Sequence, residues 1–383
     1  MKKNSTVNLL YNISLILMLV RTYINNSLLE NIFQYYDLII IPTIIVLLFV
    51  KILNDNYKLK ELLIIIFCFV ICLIAAISSS KMILLVSFLG IISLKNIDVK
   101  KSINVLYKSN KFLLIAVTIV YLINLILFPN SITYSIFYKD LPRHSFYFNH
   151  PNMYSGLFFW CITGYLYNKG EKLNALNFII TIILSLLVYK FTYTRTMLLS
   201  IAILLIMLMF RKNKIEIKLL KIISKYGMII FSTLFLILLN YYNSFSGVTL
   251  NMVNNFDNLL SHRIKLAILI HQVYPVTIFP NKINYNLVFS WNNEFSSKLV
   301  LDNFYYQCLM IYGIILLIIF ALIFYFGSKK IKNNTDYVYI SLVLITGIVE
   351  SYMLNCCICF PILLLGNNIV NNRNLRGENE NEI

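Results

Sequence analysis

Residues 62–78 read LLIIIFCFVICLIAAIS and contain no charged side chain. An apolar run of this length is close to the ~20 residues that a helix needs to cross the hydrocarbon core of a bilayer. About eleven similar runs follow one another along the chain, with short polar connections between them. Since 59% of the 383 residues are hydrophobic and 13% are charged, too few polar side chains remain to cover a water-soluble protein of this size. The sequence therefore predicts an all-α polytopic membrane protein.

We predict about twelve transmembrane helices in a single domain over residues 1–370, followed by a disordered cytoplasmic tail at 371–383. Several runs are short for a bilayer, which tilt or local thinning accommodates. No cleavage site follows the first run before Arg21, so we expect an uncleaved first span. The expected spans are 7–23, 37–52, 62–78, 82–94, 112–128, 153–168, 174–189, 197–211, 228–242, 303–326, 337–352 and 353–370.

The formal net charge of +17 is interpreted as a topology signal. With both termini in the cytoplasm, alternation of the spans places about 23 of the 33 Lys and Arg residues on the cytoplasmic side. This distribution argues against nucleic acid as a partner. Two basic connections, 95–111 and 211–227, space apolar residues among lysines, and we expect them to lie along the membrane surface.

The seven cysteines fall inside or at the ends of predicted spans, where they behave as small apolar residues. Cys356, Cys357 and Cys359 have no second ligand pair nearby in the sequence, so we expect no metal site. We likewise expect no cofactor.

The polar residues concentrate in the loops that alternation places outside the cell. These are 129–152, the much larger 243–302, and the short connection 190–196. All four histidines lie in the two large loops: His144, His150, His262 and His271. Within the largest loop, Leu259, Leu260, Ile264, Ala267, Ile268 and Val273 recur at helical spacing. This pattern predicts one amphipathic helix at the outer interface that holds Arg263 near the lipid headgroups.

The middles of the predicted spans are nearly free of charge, whereas Arg21, Arg195 and Glu350 fall near their outer ends. Ionisable residues deep in a bilayer usually mark a transport path, so this distribution favours chemistry at the outer surface. An arginine presents a planar fork that pairs with phosphate. Arginines near a lipid pyrophosphate would bind the substrate and stabilise the departing diphosphate, while a carboxylate or imidazole takes a proton from a sugar hydroxyl.

A structural role competes with the functional one at each of these residues. Arginines at span ends often reach only to headgroups, which is our interpretation of Arg21, whereas Arg195 lies at a tight re-entry between spans. Arg263 lies well inside a loop, which favours function. The loop histidines His144, His262 and His271 are more often merely solvated, and His150 is better fixed because Pro151-Asn152 follows it.

Four stretches in order along the chain resemble motifs of one known superfamily. They are Phe148-Asn149-His150-Pro151-Asn152-Met153-Tyr154-Ser155-Gly156, Tyr193-Thr194-Arg195-Thr196, Leu260-Ser261-His262-Arg263-Ile264, and Asp302-Asn303-Phe304-Tyr305-Tyr306 with Tyr312-Gly313 after it. Together with one large outer loop between spans 9 and 10, they resemble the O-antigen ligase and Wzy-type polysaccharide polymerase superfamily. The resemblance covers roughly residues 140–326.

The resemblance implies a GT-C-type fold and a metal-independent, inverting transfer of a glycan from undecaprenyl pyrophosphate. Arg195 and Arg263 would contact the pyrophosphate, and Asp302 occupies the place of the catalytic histidine of ligases, with Asn303 beside it. Arg143, His150, Asn152 and His262 would bind substrate. This sequence departs from the pattern of the superfamily at two points. An aspartate stands in place of the histidine, which favours the polymerase branch, and no glycine lies between Gly247 and Gly313.

We therefore expect a polymerase of lipid-linked oligosaccharide repeat units, for capsular or other surface polysaccharide, acting at the outer face of the cytoplasmic membrane. Its partners would be the lipid-linked oligosaccharide, the bilayer, a flippase and a chain-length regulator. Two alternatives stay open. A flippase for the same lipid-linked sugar would need polar residues along a path through the spans, and a ligase would transfer finished glycan to a different acceptor.

Overall fold

The computed structural model describes residues 2–33, 35–128, 137–138, 141–260, 262–291, 295–299 and 301–371. Over these residues the fold is all-α, with two short β-hairpins. Parts of the predicted loops 129–152 and 243–302, and the predicted tail from residue 372 on, lie outside the described residues. The helices are α1 (Lys2–Asn25), α2 (Asp37–Leu53), α3 (Leu59–Ser79), α4 (Ile83–Ile92), α5 (Val99–Leu127), α6 (Pro151–Lys169), α7 (Ala175–Thr192), α8 (Arg195–Met209), α9 (Lys214–Tyr241), α10 (Gly247–Leu259), α11 (Arg263–Val273), α12 (Phe304–Gln307), α13 (Gly313–Lys329), α14 (Asn334–Thr346) and α15 (Pro361–Val370).

Six helical segments within the described residues are long and apolar enough to cross a membrane. They are Thr6–Asn25, Leu59–Ser79, Val99–Leu127, Ala175–Thr192, Lys214–Ser244 and Phe304–Lys329. Their outer faces are apolar, as on α3, where Leu63 is 59% and Phe67 is 60% exposed. Such faces suit a hydrocarbon solvent, in which backbone groups must be satisfied within the helix. The length and the apolar composition of these helices therefore indicate a membrane protein.

Each predicted apolar run overlaps a helix, and the two basic segments that we expect at the membrane surface are continuous with the helices that follow them. Residues 95–111 and 211–227 do not form separate surface elements, because α5 and α9 run continuously through most of them into the apolar part. Lysine at helical spacing followed by Ile, Leu and Val is compatible with one long helix whose basic end leaves the hydrocarbon.

The chain divides into two compact units. Unit 1 comprises Met1–Asn56, Leu89–Asn213 and Cys356–Leu363. In it α1 packs on α2 and α5, while α6 packs on α5, α7 and α8. Arg21 Nε and Nη2 donate to the two carboxylate oxygens of Asp37, each at 2.8 Å, which joins α1 to the first residue of α2. A short hairpin pairs β1 (Phe137–Tyr138) with β2 (Leu141–Pro142) in antiparallel register.

Unit 2 comprises Tyr57–Phe88, Lys214–Asn355 and Leu364–Ile383. Its centre is α9, on which α13 and α14 pack. The hydroxyl of Ser328 donates to Ser224 O at 2.9 Å, and that of Ser341 donates to Leu220 O at 3.0 Å. A second hairpin pairs β3 (Val288–Trp291) with β4 (Phe295–Lys298).

The last long span of unit 2 is discontinuous. After α12 a π-helix covers Cys308–Tyr312, and Gly313 has φ +80°, where a Cβ would lie 2.7 Å from Ile278 O. The amides of Ile314 and Ile315 donate instead to Thr277 O and Ile278 O at 2.9 and 3.2 Å. Because glycine alone fits this close approach at positive φ, Gly313 lets the loop before β3 dock into the helix.

Candidate functional site

Three ionisable side chains meet in unit 2, and we name them the Arg263 cluster: Arg263, Asp302 and Glu350. Arg263 Nη2 donates to Asp302 Oδ2 at 3.0 Å and to Glu350 Oε1 at 3.5 Å. The Arg263 side chain is 11% exposed, that of Glu350 is 16% exposed and that of Asp302 is 37% exposed. Asp302 is thus the member of the cluster that a substrate can reach most easily.

Arg263 is positioned by a break between two helices. The sequence predicts one helix through this region, but α10 ends at Leu259 and α11 begins at Arg263, with His262 at φ +61° between them. Asp257, fully buried, accepts from the amide of Ile264 at 2.7 Å and caps α11. This bond joins the last turn of α10 to the first turn of α11, so Asp257 helps to position the backbone of Arg263.

Burial raises the pKa of Asp257, although the amide of Ile264 and the charge of His262 act to lower it. His262 Nδ1 lies 3.8 Å from Asp257 Oδ2. In the structure His262 therefore lies beside the capping carboxylate.

Asn303 holds the two carboxylates of the cluster close to each other. Its Oδ1 accepts from the amide of Tyr306 at 3.0 Å and caps α12, while its Nδ2 donates to Ile348 O at 2.7 Å. The amide of Phe304 donates to Gly347 O at 2.9 Å. These bonds fasten the residue after Asp302 to the turn before Glu350, so the buried Asn303 amide acts on the site as a positioning group.

Lys81 and two tyrosines lie around the Arg263 cluster. The Lys81 ammonium is 4.6 Å from the centroid of the Tyr285 ring, and Tyr285 donates to Ser79 O at 3.1 Å. The surrounding protein lowers the pKa of Lys81 by desolvation, while the Asp302 carboxylate raises it. Burial raises the pKa of the Tyr352 hydroxyl, and the charges of Glu350 and Asp302 raise it further. The charges of Lys81 and Asp302 therefore interact, although the ion pairs of the cluster are those of Arg263.

The geometry gives Asp302 and Arg263 different chemical capacities. Asp302 can accept a proton, because its carboxylate is partly exposed. Arg263 Nη1 is buried and has no hydrogen-bond partner among the described residues, so one guanidinium donor remains for an anionic ligand. In the described ranges, no group of three or more His, Cys, Asp or Glu side chains is placed to hold a metal ion.

A second polar group lies in unit 1 around Arg143. Arg143 Nε donates to Thr192 O at 2.8 Å, and Nη2 donates to Asn152 Oδ1 at 3.0 Å and to Thr194 Oγ1 at 3.4 Å. Ser155 donates to the Thr194 hydroxyl at 3.0 Å. All these acceptors are neutral, so Arg143 keeps a charge that no carboxylate of the described part of the chain neutralises.

His150 and Arg195 lie at helix starts in the same unit. His150 Nδ1 accepts from the amide of Asn152 at 3.1 Å and caps α6. Arg195 is the exposed first residue of α8, after Tyr193 at φ +47°. Helix starts carry partial positive charge, which adds to that of the arginine. His144 Nδ1 is 2.7 Å from the Tyr121 hydroxyl, and burial lowers the pKa of His144.

The structure brings together several of the predicted site residues. Arg263 meets Asp302 in unit 2, with Asn303 as a positioning residue and His262 beside the cap of α11. Arg143 meets Asn152 in unit 1, next to His150. Arg195 lies in unit 1 at the start of α8.

Sequence reasoning missed the partners that complete both groups. Glu350 was recognised only as a charge near a span end, and Lys81 was not recognised at all. The signal for Lys81 was available, because it is a lone basic residue in the short polar break between α3 and α4. Thr194 and Asp257 carry no sequence signal of this kind, since both act through local backbone geometry.

Comparison of the chain with family models, with curated proteins and with solved structures found no match.

Proposed function

We propose that this protein is a membrane glycosyltransferase that polymerises undecaprenyl-pyrophosphate-linked oligosaccharide repeat units at the outer face of the cytoplasmic membrane. The observation that carries the proposal is the contact of Arg263 with Asp302 at 3.0 Å, with Glu350 behind it. A partly exposed carboxylate beside a guanidinium suits a reaction that removes a proton and expels an anion. About twelve spans and a GT-C-type architecture belong to the same proposal.

The reaction follows from the capacities of these groups. Asp302 takes the proton from an acceptor sugar hydroxyl, whose oxygen forms the new bond to the anomeric carbon of the donor. The bond from that carbon to the pyrophosphate oxygen breaks, and the lipid diphosphate leaves with the electron pair. The free Nη1 donor of Arg263 stabilises the charge that develops on the leaving group. Attack from the opposite face gives inversion.

A polymerase binds two lipid-linked substrates, each of which carries a diphosphate. The chain offers cationic groups in each unit: Arg263 and Lys81 in unit 2, and Arg143 with Arg195 in unit 1. The neutral surroundings of Arg143 support a role in binding an anion, because the guanidinium keeps its full charge. His150 and Asn152, which lie beside it, would bind the same substrate.

The proposal is tested with purified protein and lipid-linked repeat units. Wild-type protein should give a ladder of products, and Asp302→Asn should abolish the ladder while it leaves folding intact. Glu171→Gln, which removes an exposed carboxylate from another part of the chain, serves as the matched control and should be active. A fully active Asp302→Asn variant would remove Asp302 as the base. Translocation of the headgroup without new bonds would indicate a flippase, and one-step transfer to a foreign acceptor would indicate a ligase.

Arginine supplies the positive charge in this mechanism, which gives a second test. Addition of EDTA should leave the product ladder unchanged. Inhibition by EDTA that a divalent ion reverses would contradict the assignment of charge stabilisation to Arg263.

A further inference from the structure

All four lysines of α9 lie in its first part. They are Lys214, Lys218, Lys221 and Lys225, and the sixteen residues from Tyr226 to Tyr241 carry no charge.

 That stretch is long enough to cross most of the ~30 Å hydrocarbon core at ~1.5 Å per residue. The lysines therefore lie at the end of the span where the helix leaves the hydrocarbon.

The depth of these lysines in a bilayer is inferred from the length of α9. The helix has 28 residues, which is ~42 Å at ~1.5 Å per residue. A hydrocarbon core of ~30 Å leaves about two turns at the basic end in the headgroup region. Apolar side chains are exposed there as well, with Ile215 80% and Leu219 54% exposed. A surface that exposes lysines and apolar side chains together suits the boundary between headgroups and acyl chains.

Aromatic rings fix two of the four ammonium groups. The Lys225 ammonium is 4.9 Å from the centroid of the Tyr226 ring and 4.7 Å from that of Tyr325. The Lys221 ammonium is 5.5 Å from the centroid of the Tyr337 ring. These cation–π contacts restrict the side chains without neutralising them. We name Lys221, Lys225 and the three rings the lysine–tyrosine site.

The backbone behind this site is held by buried hydrogen bonds. Ser328 donates to Ser224 O at 2.9 Å, and Tyr337 donates to Ser328 O at 3.3 Å. These bonds fasten the end of α13 and the start of α14 to α9, between Lys221 and Lys225. Lys329 at the end of α13 adds a further exposed cation, while Glu216 is the one carboxylate in the first twelve residues of α9.

We propose that the lysine–tyrosine site binds the headgroup of an anionic phospholipid. Positive charge, fixed ammonium groups and depth at the acyl boundary together match a phosphate that is attached to a hydrocarbon tail. The ligand is a bulk membrane lipid, so this inference is independent of the proposed glycosyl transfer. Phosphatidylglycerol serves as the probe because it carries one negative charge, and phosphatidylcholine of the same acyl composition carries none.

The test measures lipid retention by the full-length protein in native mass spectrometry. Wild-type protein is titrated with phosphatidylglycerol or with phosphatidylcholine and should retain the anionic lipid preferentially. Lys221→Gln combined with Lys225→Gln should weaken phosphatidylglycerol binding by about fivefold for each lysine and leave phosphatidylcholine binding unchanged. Lys214→Gln combined with Lys218→Gln removes the same charge from the same helix and should weaken binding less.

A second pair of variants tests whether the lipid binds at the lysine–tyrosine site itself or responds only to the positive charge of the helix. Tyr325→Phe keeps the ring beside Lys225 and should retain the preference, whereas Tyr325→Leu should reduce it. Equal losses in the two double lysine variants, or equal retention of both lipids by wild-type protein, would overturn the proposal. Displacement of the lipid by glycerol phosphate alone would likewise overturn it, because a soluble phosphate lacks the acyl anchor. If the double variant fails to fold, the Tyr325 pair decides the outcome.

Discussion

The two arginine groups differ in the charge of their partners. Arg263 is bound to two carboxylates, whereas Arg143 is bound to a carbonyl, an amide and a hydroxyl. The ion pairs with Asp302 and Glu350 add attraction between opposite charges to the hydrogen bonds, so the two carboxylates fix the direction of the Arg263 guanidinium. Arg143 is held less strongly and keeps its full charge. We therefore expect the Arg263 guanidinium to be the more precisely positioned of the two and the Arg143 guanidinium to attract an anion.

Arg263→Lys tests whether the planar fork is needed. Lysine preserves the charge but cannot contact both carboxylates and a leaving group from one planar head. We expect transfer to fall by about a hundredfold, the loss found when one donor to a developing negative charge is removed. The rate of product formation measures this, with the melting temperature as the folding control. Near-normal rates in Arg263→Lys would reject the role of the fork.

Substitution of each carboxylate should separate chemistry from positioning. Asp302→Asn removes the proposed base and should lower transfer by about a hundredfold or more. Glu350→Gln keeps an acceptor for Arg263 and loses only its charge, so it should lower transfer by about tenfold, the lower end of the ~1.5–3 kcal/mol of a hydrogen bond to a charged group. Loss of the pH dependence of the rate in Asp302→Asn but not in Glu350→Gln is the decisive measurement. The reverse pattern would make Glu350 the base.

At the scale of elements, the site depends on how α10 ends and α11 begins. Asp257 caps α11 from a fully buried position, and its Oδ2 has no hydrogen-bond partner among the described residues. A buried charge with one satisfied oxygen is costly, which agrees with the raised pKa of this carboxyl. The cap therefore combines a favourable hydrogen bond with an unfavourable charge.

Two substitutions of Asp257 should separate these effects. Asp257→Ala removes the cap and should lower the free energy of unfolding by about 1 kcal/mol. Asp257→Asn keeps the acceptor and removes the charge, so it should be more stable than wild-type protein at neutral pH.

The pH dependence gives the sign of the charge effect. Because the pKa of Asp257 is higher in the folded protein than the ordinary value of 3.8, its contribution to stability is fully present below that value and is lost as the pH rises through the folded pKa. The advantage of Asp257→Asn should therefore shrink as the pH falls from about 7 to about 4. Thermal unfolding of both proteins over this range measures it, and an advantage that grows toward acid pH would contradict the raised pKa.

Hydropathy predicts where apolar helices occur in this chain, six of which among the described residues are long enough to cross a membrane, since a continuous apolar run leaves the backbone few alternatives in a membrane. It does not predict where a helix breaks. The break at His262 requires positive φ at a residue that is not glycine, and the break at Gly313 depends on a loop that docks from a distant segment. The resemblance to the superfamily predicted that Arg263 and Asp302 belong to one site. Glu350 was missed as a partner because it is 87 residues from Arg263 in the sequence.

At the scale of the whole molecule, the apolar exterior and the basic residues together define how the chain should lie in a membrane. Six helices in the described part of the chain are long and apolar enough to cross it, and the 33 Lys and Arg residues exceed the 16 Asp and Glu residues. The positive-inside rule then predicts that the loop with Arg263 lies outside and that the basic start of α9 lies inside. The proposed chemistry and the proposed lipid site would therefore face opposite leaflets.

Cysteine labelling tests this orientation with two exposed lysines of unit 2, Lys282 and Lys332. Six of the seven native cysteines are buried and Cys68 is half-buried, so the background should be low. A membrane-impermeant maleimide applied to intact cells should label Lys282→Cys, in the large loop, and should label Lys332→Cys only after the cells are permeabilised. The unsubstituted protein is the control for background. Because both positions lie in exposed connections, a difference between them reports the side of the membrane. Labelling of Lys332→Cys in intact cells, with Lys282→Cys protected, would place the Arg263 cluster in the cytoplasm and end the proposal of transfer at the outer face.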